Sequence, residues 1–167
     1  MHNKDENDFK TIPFEGVDTI WKCFQMQVQR IPNELFLGTR DFGQEGGPYV
    51  WKTWDQVDKI ARNLAQGIRV LNLMPEIENE EGIWKFMGIY SKNREEWIIT
   101  ELASVSQAGT TVAFYDTLGP QSVEFVINQT KLTTIACAGQ YLKTLILLKN
   151  QGRADSLLNL VSFDEIG

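Results

Sequence analysis

Apolar residues recur along this chain at two spacings, and the alternation between them marks out its elements. Ile20, Trp21, Phe24, Val28 and Ile31 fall at helical intervals behind Asp18, which has the side chain of a helix N-cap, and Pro32 stops the run. Leu35–Arg40 and Tyr49–Thr53 read as the two strands of a hairpin, with Gly43, Gly46, Gly47 and Pro48 supplying turn chemistry between them. Thr53-Trp54-Asp55-Gln56 has the form of a capping box. The helix it opens carries Trp54, Val57, Ile60, Ala61, Leu64, Ala65, Ile68 and Leu71 on one face. An acidic connector follows between Pro75 and Gly82 and reads as a solvated loop.

Repeats of strand and helix come next. Residues 85–91 form a strand, and Asn93 with Glu96 has the spacing of a second capping box, for a helix bearing Trp97, Ile98, Leu102 and Ala103. Thr110–Phe114 is short and β-branched, and Gly119-Pro120 opens another helix with proline where its missing N–H costs nothing. Residues 132–138, 141–150 and 158–163 read as strand, helix and strand. Continuous apolar strands joined by helices imply right-handed parallel crossovers, so the pattern predicts an α/β fold, a parallel sheet covered by helices, with the early hairpin as a separate antiparallel element.

Composition narrows the partners. The 167 residues are 43% hydrophobic and 23% charged, those of an ordinary globular chain. A net charge of −6 argues against a nucleic-acid surface, which needs clustered cations to displace counterions, and it offers no polybasic anchor. His2 is the one histidine, which leaves no multi-histidine metal site. Cys23 and Cys137 lie in apolar patterns and read as buried free thiols of a reducing compartment. Residues 1–16 are polar, lack the apolar core of a signal peptide, and are expected to form a flexible leader. No stretch approaches the roughly 20 apolar residues of a spanning helix.

Several stretches resemble chemical motifs and fail on inspection. The cluster from Gly43 to Gly47 runs into Pro48 and a strand with no Gly-Lys-Ser/Thr, so it is a turn rather than a phosphate loop. Gly109-Thr110-Thr111 leads into Val-Ala-Phe with no lysine, and its threonines supply β-propensity. Glu76 to Glu81 lack the alternating oxygen ligands and the conformational glycine of a calcium loop. Asp116 and Thr117, between a strand end and a helix start, read as turn and cap residues; a substrate-facing role for Tyr115 stays open, because ligands gather at that edge of a parallel sheet. Trp21, Trp54 and Trp97 lie on apolar helical stripes, Trp51 can pair across the hairpin, and Trp84 has no evident apolar neighbour.

Beyond these patterns, several strings resemble one family. Leu37-Gly38-Thr39-Arg40 and Tyr49-Val50-Trp51-Lys52-Thr53-Trp54, then Gly88-Ile-Tyr-Ser-Lys-Asn-Arg-Glu-Glu-Trp97, Glu101-Leu-Ala, Tyr115-Asp-Thr-Leu-Gly119 and Glu124-Phe-Val-Ile-Asn128 are similar to the N-terminal region of long-chain acyl-CoA synthetases. These are adenylate-forming enzymes of the AMP-dependent synthetase/ligase superfamily. The chain departs from the family pattern at Glu95 and Ala113, where the family usually has proline. The resemblance implies that residues 17–167 are the incomplete N-terminal part of such a domain. In the parent, fatty acid and ATP with magnesium would give an acyl-adenylate and pyrophosphate, and CoA would then displace AMP. It also implies an intracellular protein, cytosolic or on the cytosolic face of a membrane such as the endoplasmic reticulum or peroxisome, and not secreted.

The family's phosphate loop, adenine and ribose motifs, hinge and C-terminal catalytic lysine all lie downstream of the region it resembles. No catalytic, cofactor-binding or metal residue is therefore assigned, and the chain alone is expected to be inactive. Two other readings stay open: a short, non-catalytic homologue acting as a protein-binding module, and a flavodoxin-like small-ligand binder. The last lacks a phosphate loop after Ser91, where Lys92-Asn93-Arg94 stands instead.

Overall fold

In the computed structural model, residues 12, 14–41, 43 and 45–166 are described. Most of the expected leader, residues 1–11 and 13, lies outside them. Helix α1 (Ile20–Arg30) leads into a hairpin of β1 (Leu35–Arg40) and β2 (Tyr49–Thr53), paired antiparallel as a sheet of two strands. Gly46 and Gly47 adopt positive φ in its turn, which explains the glycines there. Helix α2 (Trp54–Val70) starts at the predicted capping box: Thr53 accepts from the Gln56 N–H, and the Gln56 side chain accepts from the Thr53 N–H.

The main sheet is built from β4 (Gly82–Tyr90), β5 (Thr110–Phe114), β6 (Thr134–Cys137) and β7 (Asn159–Ser162), all parallel. In space the order is β5-β4-β6-β7. The chain leaves β4 in one direction to reach β5, crosses back over β4 to β6, and continues to β7. Helices α3 (Glu95–Val105), α4 (Pro120–Thr130) and α5 (Gly139–Asn150) make the crossovers. Strand alternation sorts the core between two faces. Phe114, Ile135 and Cys137 meet Val123 and Ile127 of α4 and Leu145 and Leu148 of α5, while Met87, Ile89 and Ala136 meet Ile68 of α2 and Ala103 of α3. A third cluster joins α1 and the hairpin to α2 and α3; in it Phe36 stacks on Trp54 with ring centres 3.8 Å apart, and Phe24 packs against both.

Four local expectations are corrected. The acidic connector is not a loop: β3 (Glu76–Asn79) pairs antiparallel with the first residues of β4, and its side chains are mostly solvated, so its charge cost it nothing. Thr19, not Asp18, caps α1, accepting from the Lys22 N–H; Asp18 pairs with the Lys22 ammonium one turn on. Asn93 does not cap α3, because Arg94 holds the cap position and its guanidinium takes up the Glu96 carboxylate that a capping box would need. Trp84 does have an aromatic neighbour: it stacks nearly parallel on Phe86 and donates to Asn79.

The two departures from the family pattern are accommodated. Glu95 is the first residue of α3, a position that proline tolerates equally well, and it binds Lys52 of the hairpin at 2.6 Å. Ala113 lies in β5 and pairs in register with Ile89.

Candidate functional site

In an open parallel sheet, ligands bind beyond the carboxyl ends of the strands, at the point where the strand order reverses. Here that point lies between β4 and β6. The loop after β4 brings Ser91 to Arg94 to it, and the turn after β6 brings Ala138 and the start of α5. The Ala138 N–H donates to the Tyr90 carbonyl and stitches the two loops together. The first N–H of α5, that of Gly139, faces the crevice, as it would for a bound anion.

That N–H already has an acceptor, the Asp164 carboxylate, at 2.7 Å. The chain reaches it because Phe163 extends the ladder past β7, its N–H donating to the Cys137 carbonyl. The other oxygen of Asp164 accepts from Arg94 at 3.0 Å, and the same guanidinium grips both oxygens of Glu96 at 2.7 and 2.8 Å. Arg94 also lies over the Phe163 ring, 5.4 Å from its centre. The Ser162 hydroxyl accepts from the Asp164 N–H and donates to the Asp164 carbonyl, which fixes the turn. The Gly139 N–H at the crevice is thus taken up by the chain's own carboxylate.

The charges follow from this geometry. The Gly139 N–H, and then Arg94, hold the Asp164 carboxyl below the usual carboxylate range; Arg94 does the same for Glu96. Hydrogen bonds from Glu96 and Asp164 keep Arg94 firmly charged. Burial, and secondarily the charge of Asp164, push the Cys137 thiol up to about 11, so it is an inert thiol rather than a nucleophile. Burial raises the Tyr90 phenol above its ordinary value, with Tyr141, stacked on it at 3.8 Å, next among the causes.

A second crevice of about 430 Å3 opens between the ends of β4 and β5, lined by Ser91, Lys92, Asn93, Trp97, Tyr115 and Asp116. Lys92 and Asp116 face each other across it at 3.9 Å, both largely in solvent. The Ser91 hydroxyl is buried and donates to the Lys92 carbonyl, so it is not poised as a nucleophile. Tyr115 is exposed at its rim. The arrangement can hold a small polar ligand but contains no nucleophile and base in contact. Among the described residues no cluster of three or more histidine, cysteine or acidic side chains could hold a metal ion.

The rejected motifs sit where turn and packing chemistry explains them. Gly43, Gly46 and Gly47 lie in the hairpin turn. Gly109 donates to the Ser104 carbonyl at the end of α3, and a Cβ there would fall 2.0 Å from Met74. Thr110 and Thr111 begin β5, at the opposite end of the strand from the crevices. Sequence reasoning missed Arg94 and Asp164 as a pair. They are 70 residues apart, and no local pattern links them.

Known proteins agree with this architecture. A family model described as AMP-binding enzyme matches residues 24–165. Long chain acyl-CoA synthetase 4 of Arabidopsis thaliana is 34% identical over 124 residues, 74% of this chain and 17% of the relative. Long chain acyl-CoA synthetase 2 of the same plant is 32% identical over 151 residues, 90% of this chain and 21% of the relative. The chain therefore spans about a fifth of the length of the curated relatives it matches. In fold, it resembles the adenylation domain of a carboxylate reductase from Mycobacterium chelonae, with a TM-score of 0.74 at 14% identity, over 92% of this chain and 24% of that one. A parallel sheet of this order, matched by the family model over nearly its whole length, leaves one assignment: the chain belongs to the AMP-binding enzyme family, and its relatives there are long-chain acyl-CoA synthetases.

Proposed function

We propose that residues 17–167 are the N-terminal part of the AMP-binding domain of a long-chain fatty acid–CoA ligase. The parent joins a long-chain fatty acid to CoA at the expense of ATP, releasing AMP and pyrophosphate. The observation that carries this reading is the family match from residue 24 to 165, together with relatives named for long-chain substrates. The contribution of this segment is architectural. It supplies a parallel sheet at whose switch point Asp164 bridges the Gly139 N–H and Arg94, and the nucleotide is bound by other parts of the parent. Among the described residues no cluster of three or more histidine, cysteine or acidic side chains offers a magnesium site, and no step of the reaction is placed on them. A cytosolic or cytosol-facing location belongs to the same reading; no helix among the described residues is long and apolar enough to cross a membrane.

Palmitate-dependent exchange of pyrophosphate into ATP tests this reading in two proteins. The purified 167-residue chain is expected to show none. A chimera in which this chain replaces the matching segment of Arabidopsis long chain acyl-CoA synthetase 2 is expected to retain it. Exchange by the chain alone, or a folded chimera without exchange, would overturn the proposal.

A further inference from the structure

Guanidinium and ammonium groups at the wall of a cavity attract an anion most where no carboxylate already holds them. The amino end of the sheet has such a place, at the opposite end of the strands from both crevices. Helices α2 and α3 end there, and beside the start of β4 a cavity of about 610 Å3 opens, the size of a small-ligand site. Arg69 and Asn72 at the end of α2 and Lys85 of β4 bring it nitrogen donors, and Ile68, Met74 and Pro75 form its apolar part. Ile68 and Met74 are buried, which fixes that part in place.

The fold leaves these cations largely unused. The carbonyls that end both helices have donors already: Ile68 accepts from the Leu73 N–H, Ser104 from the Gly109 N–H, and Ala103 from the Ser106 hydroxyl. Arg69 meets no carboxylate among the described residues, and its partner is the neutral side-chain oxygen of Gln66. Lys85 lies 3.5 Å from Glu76, but the Glu76 side chain is 64% exposed, so solvent weakens that pair. Arg69 and Lys85 against Glu76 leave the lining one positive charge in excess, in a chain whose net charge is −6. A neighbouring cavity of about 270 Å3 shares Arg69, but its second cation, Arg62, is gripped by Asp58.

We propose that the larger cavity is a binding site for a small amphipathic organic acid. Its anionic head group lies between Arg69 and Lys85, and a short apolar body lies along Met74 and Pro75. One negative charge balances the excess of the lining, and the planar fork of Arg69 fits a carboxylate through two N–H donors. The site is separate from the crevice between β4 and β5, with which it shares no residue. The inference does not depend on the ligase reading.

Hexanoate is the probe, titrated into the 167-residue chain and followed residue by residue in amide NMR spectra. Saturable shifts are expected at Arg69, Asn72 and Lys85, with a dissociation constant of about 1 mM or lower. Hexanamide, with the same tail and no charge, is expected to bind at least about tenfold more weakly. Arg69→Gln is expected to weaken hexanoate binding by at least about tenfold. Lys143→Gln, which removes the same charge from α5 on the other face of the sheet, is expected to leave it unchanged. No saturation, equal binding of hexanamide, or equal loss in the two variants would overturn the site. So would shifts confined to the apolar hollow of about 280 Å3 beside Val161 and Phe163. The hexanamide comparison uses the unaltered chain, so the test stands even if Arg69→Gln disturbs folding.

Discussion

Gly88 lies in the C-terminal half of β4, flanked in register by β5 and β6, and Gly88→Ala tests the packing there directly. Gly88 is not among the residues at positive φ, so alanine suits the backbone and only space is at issue. A Cβ there would lie 2.7 Å from Leu132 Cδ2, 2.8 Å from Ile135 Cγ1 and 3.2 Å from Phe114 Cε2. All three neighbours are fully buried, and Ile135 is β-branched on the adjoining strand, so none can withdraw into solvent. Overpacking of this kind costs about 1–3 kcal/mol. Losing glycine's freedom in the unfolded chain returns about 0.5–1 kcal/mol. Two contacts under 3.0 Å put the cost in the upper part of that range, about 2–3 kcal/mol, so the net expectation is a loss of about 1–2.5 kcal/mol, or a melting temperature lower by about 2–10 °C for a protein of this size. Urea unfolding followed by tryptophan fluorescence measures it. Leu132→Val shortens the closest neighbour, so the double variant should be more stable than the sum of the two singles by about 0.5 kcal/mol or more. A neutral or stabilised Gly88→Ala, or strict additivity in the double variant, would refute the packing argument.

Two further outcomes follow from the carboxyl edge. Asp164→Asn is expected to lower stability at pH 7 by about 0.5–1.5 kcal/mol, a modest figure because the side chain is half-exposed and solvent screens its pairing. Asp164 and Glu96 are both held below ordinary carboxylate values, so each stabilises the fold above that range and loses its contribution as pH falls through its folded value, below about pH 4. Urea midpoints between pH 5 and pH 3 should therefore fall less steeply in Asp164→Asn than in the parent; parallel profiles would show that the clamp is not what titrates. At pH 8, iodoacetamide is expected to modify the half-buried Cys23 well before Cys137, whose thiol is buried and pushed up to about 11, until denaturant equalises them. Comparable native rates, read by mass spectrometry, would contradict the inert-thiol reading.

What the sequence made legible was local. The hairpin strands and the Thr53–Gln56 box are found where the pattern places them, because each depends on residues within a few positions of one another. The α/β class followed from repeated strand–helix spacing, which needs no knowledge of distant partners. The failures share one cause. Glu96 had the spacing of a cap residue, yet an arginine two positions away competes for its carboxylate. Glu76–Asn79 had the composition of a loop, and became a strand because β4 offers it a partner. The switch-point crevice was illegible for the same reason: Asp164 reaches it from 70 residues beyond Arg94.

The clamp at Asp164 also dictates an order of events during folding. Its two bonds close loops of very different size, one reaching back 25 residues to Gly139 and the other 70 residues to Arg94. Loop-closure entropy separates them by about 1 kcal/mol in favour of the shorter. The cap on α5 therefore forms first, and the bridge to Arg94 closes onto a β6–α5–β7 unit already assembled. On a ribosome the difference is sharper still, because Arg94 and Glu96 emerge together and can pair long before residue 164 exists. The guanidinium that later locks the crevice thus spends the early life of the chain bound to its neighbour. The final step recruits it without first having to release it, so stopped-flow measurements should find Asp164→Asn speeding unfolding while leaving the folding rate nearly unchanged.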